Sequence, residues 1–373
     1  MQTKDSAMDG GDSLPFEYRP HAAPVAADAR AALLTSPGFG RVFTDHMVVV
    51  QYAEGRGWHD ARVEARAPLR MDPSAAVLHY AQEIFEGLKA YPTDGGGATL
   101  FRPDANARRF RRSAERLAMA QLPETMFLEA VKQLVRIDRE WIPTVPGGSL
   151  YLRPFMIASE VYLGVKPASE YLFMVIASSV EAYFKGAREA VSVWVSQEYT
   201  RAAPGGTGEA KCGGNYAASL LAQSEAIRHG CQQVVFLDAA ERRWIEELGG
   251  MNIFFVFDDG SMSTPPLGGT ILAGVTRDSL ITLGRDRGMV VREEPYSLDQ
   301  WRADVASGRL TEAFACGTAA VITPIGQVRT PQGDFTIGDG ESAGPVTAKM
   351  RAALVDIQRG AAPDPYGWVH KVF

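Results

Sequence analysis

The chain is poor in cysteine. Its 373 residues include three, Cys212, Cys231 and Cys316, with no CxxC pair among them. An odd, widely spaced set offers no obvious disulfide framework and suits a reducing compartment. Long apolar runs are also lacking. None approaches the ~20 residues that a membrane span requires, and the opening MQTKDSAMDGGDSL contains no stretch able to serve as a signal peptide. A cytoplasmic protein is expected, with a disordered or extended segment over residues 1–30. Neither sign of charge dominates: 38 Lys and Arg face 44 Asp and Glu, for a net charge of −6. That balance argues against nucleic acid or an anionic membrane as the main partner. There is no internal repeat and no GxGxxG turn, so a dinucleotide fold is not expected. Nor is a metal site.

What is present suits an ordinary globular protein too long for one hydrophobic core, so two domains are expected. Strand-like stretches at 43–52, 98–102, 149–159 and 170–180 accompany helical spacing over 105–120, with Phe110, Ala114, Leu117 and Ala118 inward. Another helix follows Pro123, burying Phe127, Ala130, Val131, Leu134 and Val135. The pattern breaks after Val180. A small N-terminal α/β domain over 31–180, an interdomain loop at 181–191 and a larger domain over 192–373 are expected. The second part reads as strand 191–196, a glycine-lysine loop, a helix of about 214–229 closed by Gly230, and strands at 233–238 and along MNIFFVF. A helix opens near 274–276, a strand-turn element covers 313–326, and a last helix runs from Pro345 to Gly360. Mixed α/β sheets with helices describe both halves.

The most informative segment is Arg201-Ala-Ala-Pro-Gly-Gly-Thr-Gly-Glu-Ala-Lys-Cys-Gly-Gly-Asn-Tyr216. It sets Lys211 between two glycine clusters, where the backbone can approach closely and the amine can lose hydration. Such an amine is a candidate Schiff-base nucleophile. A nucleotide-binding P-loop needs glycine before the lysine and serine or threonine after it. Ala210 and Cys212 stand there instead. On this segment alone, a solvated glycine-rich loop is an equally open reading.

Four further features bear on the choice: Tyr216, the pair Glu246 and Glu247, the helix start at Gly274-Val275-Thr276, and Gly317-Thr318. Pyridoxal phosphate would need a carboxylate at its ring nitrogen, a donor to its ring oxygen and an anion cradle for its phosphate. Each feature also has a plain alternative as a strand end, a turn or a solvated face, as have the arginines of 108–116.

Eight ordered stretches then resemble one family: PGFGRVFTDHM, LHYAQEIFEGLKAY, LFRPDANARRFRRSAERL, YLRPF, GGTGEAKCGGNYAASL, EELGGMN, ILAGVTRDSL and CGTAAVITPIG. Together the chain resembles the branched-chain amino-acid aminotransferases, pyridoxal 5'-phosphate enzymes of fold type IV, in a bacterial form. The resemblance covers all but the polar start. It implies the two-domain fold of D-amino acid aminotransferase and reversible amino transfer between leucine, isoleucine or valine and 2-oxoglutarate.

The resemblance also implies residue roles. Lys211 would form the Schiff base and shuttle a proton, Tyr216 would bond the ring oxygen, and Glu247 would face the ring nitrogen. Arg109, Gly274, Val275, Thr276 and Thr318 would hold the phosphate. Phe39, Tyr80, Phe85, Tyr151 and Tyr183 would wall the side-chain pocket, with Arg153 for the glutamate side-chain carboxylate. The substrate α-carboxylate would meet Thr318 and Ala319. Leu163-Gly164-Val165 of a second subunit would close the pocket, with Tyr80 also crossing over, which implies a homodimer. Ala320 and Thr323 stand where some animal members carry a CxxC pair, so thiol regulation of that kind is not expected. D-Amino acid aminotransferase, aminodeoxychorismate lyase and a non-catalytic carrier of the same cofactor are the alternatives; an NTPase is the remotest.

Overall fold

Apolar residues at alternate positions build two sheets, and helices with one apolar stripe cover them. The computed structural model describes residues 14–181 and 189–373. The first half contains strands β1 (Glu17–Tyr18), β2 (Val42–Phe43), β3 (His46–Ala53), β4 (Gly57–Ala65), β5 (Glu83–Phe85), β6 (Leu88–Pro92), β7 (Ala98–Phe101), β8 (Ser149–Ala158) and β9 (Glu170–Val180). Its helices are α1 (Ala27–Leu34), α2 (Ala76–Tyr80), α3 (Pro103–Arg116) and α4 (Glu124–Ile137). The second half runs β10 (Val191–Ser196), α5 (Gly213–Arg228), β11 (Gln233–Leu237), β12 (Ile245–Leu248), β13 (Asn252–Phe257), β14 (Met262–Thr264), α6 (Val275–Asp286), β15 (Val291–Glu293) and α7 (Leu298–Ser307). It ends with β16 (Leu310–Gly317), β17 (Val321–Arg329), β18 (Phe335–Thr336), α8 (Pro345–Arg359) and β19 (Val369–Lys371).

The first sheet has the order β1-β4-β3-β9-β8-β6-β7-β19, with β2 on β9 and β5 on β8. Its longest pair, β8 and β9, is antiparallel from Ser149↔Val180 to Ala158↔Tyr171. Helices α3 and α4 cover one face. There Phe110 packs 5.4 Å from Phe127 and 5.5 Å from Phe173, ring centre to ring centre. The second sheet runs β12-β11-β10-β17-β16-β13-β14-β15, with β18 on β17. Its parallel centre, β11-β10-β17, continues into antiparallel β16 and β13. Alternate residues of β13 split between two cores: Ile253 and Phe255 join Trp301 of α7, while Phe254 joins Leu280 of α6 and Leu354 of α8.

Two expectations need correction. Within the stretch expected to be disordered or extended, residues 14–30 include β1, paired parallel with β4, and the start of α1. The chain end does not stay with the second sheet either: β19 returns to pair antiparallel with β7. Helix α7, absent from the sequence reading, opens on a capping box between Ser297 and Gln300.

Candidate active site

Lys211 is held by its backbone before its side chain is considered. Its N–H donates to Ser113 Oγ of α3 at 2.9 Å, and its carbonyl accepts from the Phe85 N–H at 2.9 Å. The glycine loop before it is pinned by Arg116, which donates to the carbonyls of Gly205 and Gly206 at 2.8 and 2.9 Å. Asn215 ties the same loop to α5, donating to the carbonyls of Thr207 and Ala210, both at 2.8 Å. Gly208 is required here, since a Cβ would overlap Ala202 and the Thr270 backbone. The loop is thus packed at Gly208 and from Ala210 to Cys212, while residues 203–205 stay exposed. Lys211 Nζ donates to Tyr216 Oη at 2.7 Å and lies 4.9 Å from the centre of the Phe85 ring.

These side chains open into a cavity of about 510 Å³ between the sheets. Along one wall stands Glu247 of β12, buried. Its Oε1 accepts from Arg201 at 3.0 Å and from the Leu272 N–H at 2.9 Å, and its Oε2 has a long contact of 3.4 Å from Asn252. Burial pushes its carboxyl up to about 7, against the opposing pull of Arg201. A carboxylate so placed favours a cation beside it. Glu246 points the other way, accepts from Thr270 Oγ1, and does not line the cavity.

At one end lies Arg109, the inward-facing arginine of α3. Glu86 holds it by a bidentate pair, Nε to Oε1 at 2.7 Å and Nη2 to Oε2 at 2.8 Å, and Asn106 steadies the same carboxylate at 2.8 Å. Arg108 and Arg111 face outward to Asp104 and Glu124, as a solvated face would. Beside Arg109, α6 begins at Val275 with no side chain capping its first N–H groups. A Cβ on Gly274 would overlap the Asn252 amide oxygen, so the backbone enters this corner only as glycine.

At the other end, the turn between β16 and β17 brings Gly317, Thr318, Ala319 and Ala320 to the cavity wall. Val321, a β-branched residue at φ 61°, shows that this turn is strained. Lys89 reaches across from β6 and donates to the Ala319 carbonyl at 2.8 Å. Phe39, Phe85, Tyr151 and Arg153 complete the wall. Gly87 admits Tyr151, whose hydroxyl would overlap a Cβ there.

Of the residues singled out from sequence, Lys211, Tyr216, Glu247, Arg109, Gly274, Val275, Thr276, Thr318, Ala319, Phe39, Phe85, Tyr151 and Arg153 meet around one cavity. Tyr80 does not line it; its hydroxyl donates to the Leu163 carbonyl at the surface. Leu163 and Val165 are exposed, Val165 by 87 %. Tyr183 lies outside the described residues. Glu86, Arg201, Asn252 and Lys89 were missed, because their roles arise from contacts between distant segments that no local spacing announces.

The donor set fits pyridoxal phosphate: an amine on a tyrosine hydroxyl, a buried carboxylate with an under-used oxygen, and an arginine beside a free helix start. Residues 83–328 match the family of class IV amino-transferases, and the chain belongs to that family. Within it, the chain is 56 % identical to the probable branched-chain-amino-acid aminotransferase of Streptomyces coelicolor, covering 95 % of this chain and 98 % of that one. It is 54 % identical to the branched-chain-amino-acid aminotransferase of Mycobacterium tuberculosis, covering 96 % and 99 %. Among solved structures it superposes on the branched-chain amino acid aminotransferase from Escherichia coli, at a TM-score of 0.70 and 30 % identity over 88 % of this chain and 99 % of that one.

Proposed function

We propose that this chain is a branched-chain amino-acid aminotransferase working with pyridoxal 5'-phosphate. It exchanges the amino group of leucine, isoleucine or valine with 2-oxoglutarate, one amino acid entering only after the other's oxo acid has left. One observation carries the reading: Lys211 Nζ sits 2.7 Å from Tyr216 Oη inside a cavity that also holds buried Glu247 and Arg109. The bound cofactor supplies an aldehyde carbon for amines and a ring that accepts the electron pair left at substrate Cα.

The chain's own residues do the rest. Lys211 Nζ would hold the cofactor and, once displaced by the substrate amine, take up the Cα proton. Tyr216, whose hydroxyl accepts from Lys211 Nζ, would bond the cofactor's ring oxygen. Glu247 would keep a proton on the ring nitrogen, and its burial would strengthen the pairing. Arg109 and the first N–H groups of α6 would bind the phosphate, while Thr318 and Ala319 receive the substrate α-carboxylate. Phe39, Phe85 and Tyr151 exclude water from an aliphatic side chain, and Arg153 receives a carboxylate in the same space.

A homodimer is part of this reading. Leu78, Val161, Leu163 and Val165 are each more than half exposed, as expected of a surface covered by a second copy. Three buried, unpaired cysteines suit the cytoplasm. No described helix is long and apolar enough to cross a membrane.

The test is a half-reaction on the purified holoenzyme. L-Leucine should convert the visible cofactor band to that of pyridoxamine phosphate, and D-alanine should not. Conversion by D-alanine alone would transfer the chain to the D-amino acid branch, and conversion by no amino acid would make it a carrier. Lys211→Ala should bind the cofactor weakly and lose nearly all turnover; retained activity would remove Lys211 from the mechanism.

A further inference from the structure

Arg153 is a cation without a countercharge of its own at the cavity wall. It donates to Tyr151 Oη at 3.2 Å, its Nε is buried without a partner, and it forms no ion pair among the described residues. Its guanidinium lies 4.8 Å from the centre of the Phe85 ring. The same strand carries a carboxylate. In the antiparallel pairing of β5 with β8, Glu83 stands opposite Ile157 and Phe85 opposite Phe155. Strand alternation therefore puts Glu83, Phe85, Arg153 and Tyr151 on one face of the sheet. Glu83 is partly buried, accepts the Gly213 N–H at the start of α5, and does not line the cavity. It stands two residues from Phe85, over whose ring the Arg153 guanidinium lies, and while burial raises its carboxyl, the Gly213 N–H and the Arg153 charge oppose that rise.

A pocket that takes both leucine and glutamate side chains faces a conflict. A bare guanidinium favours the anion and disfavours the alkyl chain; a tightly paired one does the reverse. We propose that Glu83 sets this balance: held off Arg153 by its bond to Gly213, it offsets part of the guanidinium charge and holds down the affinity for anionic side chains. This rests on Arg153 being the group that receives the side-chain carboxylate. Glu83 is a positioning and specificity residue and takes no proton from substrate.

Two unreactive acids test it on the holoenzyme, glutarate and 4-methylvalerate, with binding followed by calorimetry. Glu83→Gln keeps an acceptor for Gly213 but removes the charge. The ratio of glutarate to 4-methylvalerate affinity should rise about 3- to 10-fold, and the effect should shrink with added salt. Glu83→Asp should keep the ratio near that of the parent. If the glutamine variant fails to assemble, Glu83→Ser is read in the same way. A purely structural role would move both affinities together, and an unchanged ratio overturns the proposal. Arg153→Gln separates the two layers: it should weaken glutarate and abolish the effect of Glu83→Gln. If it leaves glutarate unaffected, the assignment of Arg153 falls, and this proposal with it.

Discussion

At Glu247 two forces compete within a single side chain. Burial raises its carboxyl from an ordinary 4.5 to about 7, while Arg201, the Leu272 N–H and Lys211 resist. Between those two pH values the folded protein without cofactor keeps a proton that the unfolded chain has released. Stability then falls as pH rises, because the folded state binds more protons. The contribution is whole below pH 4.5, declines up to about 7 and is level beyond. Glu247→Gln has no such proton to lose. Freed of cofactor, it should gain on the parent by roughly 3 kcal/mol between those limits, measured as the pH slope of unfolding free energy. The slope is the check, because any pH-independent cost of the substitution leaves it unchanged. A variant that parallels the parent across this range would contradict the assignment. In the holoenzyme the same change should slow Cα proton abstraction, and a larger loss from Glu246→Gln would show that the neighbouring carboxylate faces the ring.

Among the elements, helix α6 argues most directly for its sequence. Gly274 has an ordinary φ of −68°, so backbone freedom is not why glycine stands there. Space is. A methyl group would displace Asn252, which donates to the Leu272 carbonyl at 3.0 Å and reaches Glu247. Gly274→Ala should weaken cofactor binding about tenfold or more and lower stability by about 1–3 kcal/mol, read by cofactor titration and thermal melting. The start of α6 was legible from the sequence; the crowding that demands glycine was not. Helix α3 divides in the same way. Its apolar stripe is visible in sequence, but which of its arginines turns inward depends on Glu86, 23 residues earlier. Helix α7 was legible in principle, since Ser297-Leu-Asp-Gln300 is a capping-box sequence, and went unread because its buried face is confined to Leu298 and Trp301.

The whole molecule exposes a cluster of apolar side chains that one copy does not cover. Val165 is 87 % exposed and Leu163 62 %, near Tyr80. If a second subunit seats there, Val165→Asp should shift the protein toward monomer in sedimentation experiments and cut turnover by about tenfold or more, because burying a charge without a partner is costly. A monomeric parent with full activity would refute the dimer.

Composition and spacing in the chain determined the absence of a disulfide framework, the alternation of strands and helices, and the glycine-bracketed lysine, because all of these are local. Its motifs in their order carried the resemblance to a family, and with it the cofactor. The tertiary structure alone decided that Phe85 and Ser113 clamp the Lys211 backbone, that Glu86 holds Arg109, that Lys89 steadies the Ala319 turn, and that β19 closes back on β7. The reason is physical. Burial, ion pairing and close approach depend on distances between segments far apart in the chain, and those distances exist only once the two sheets have packed.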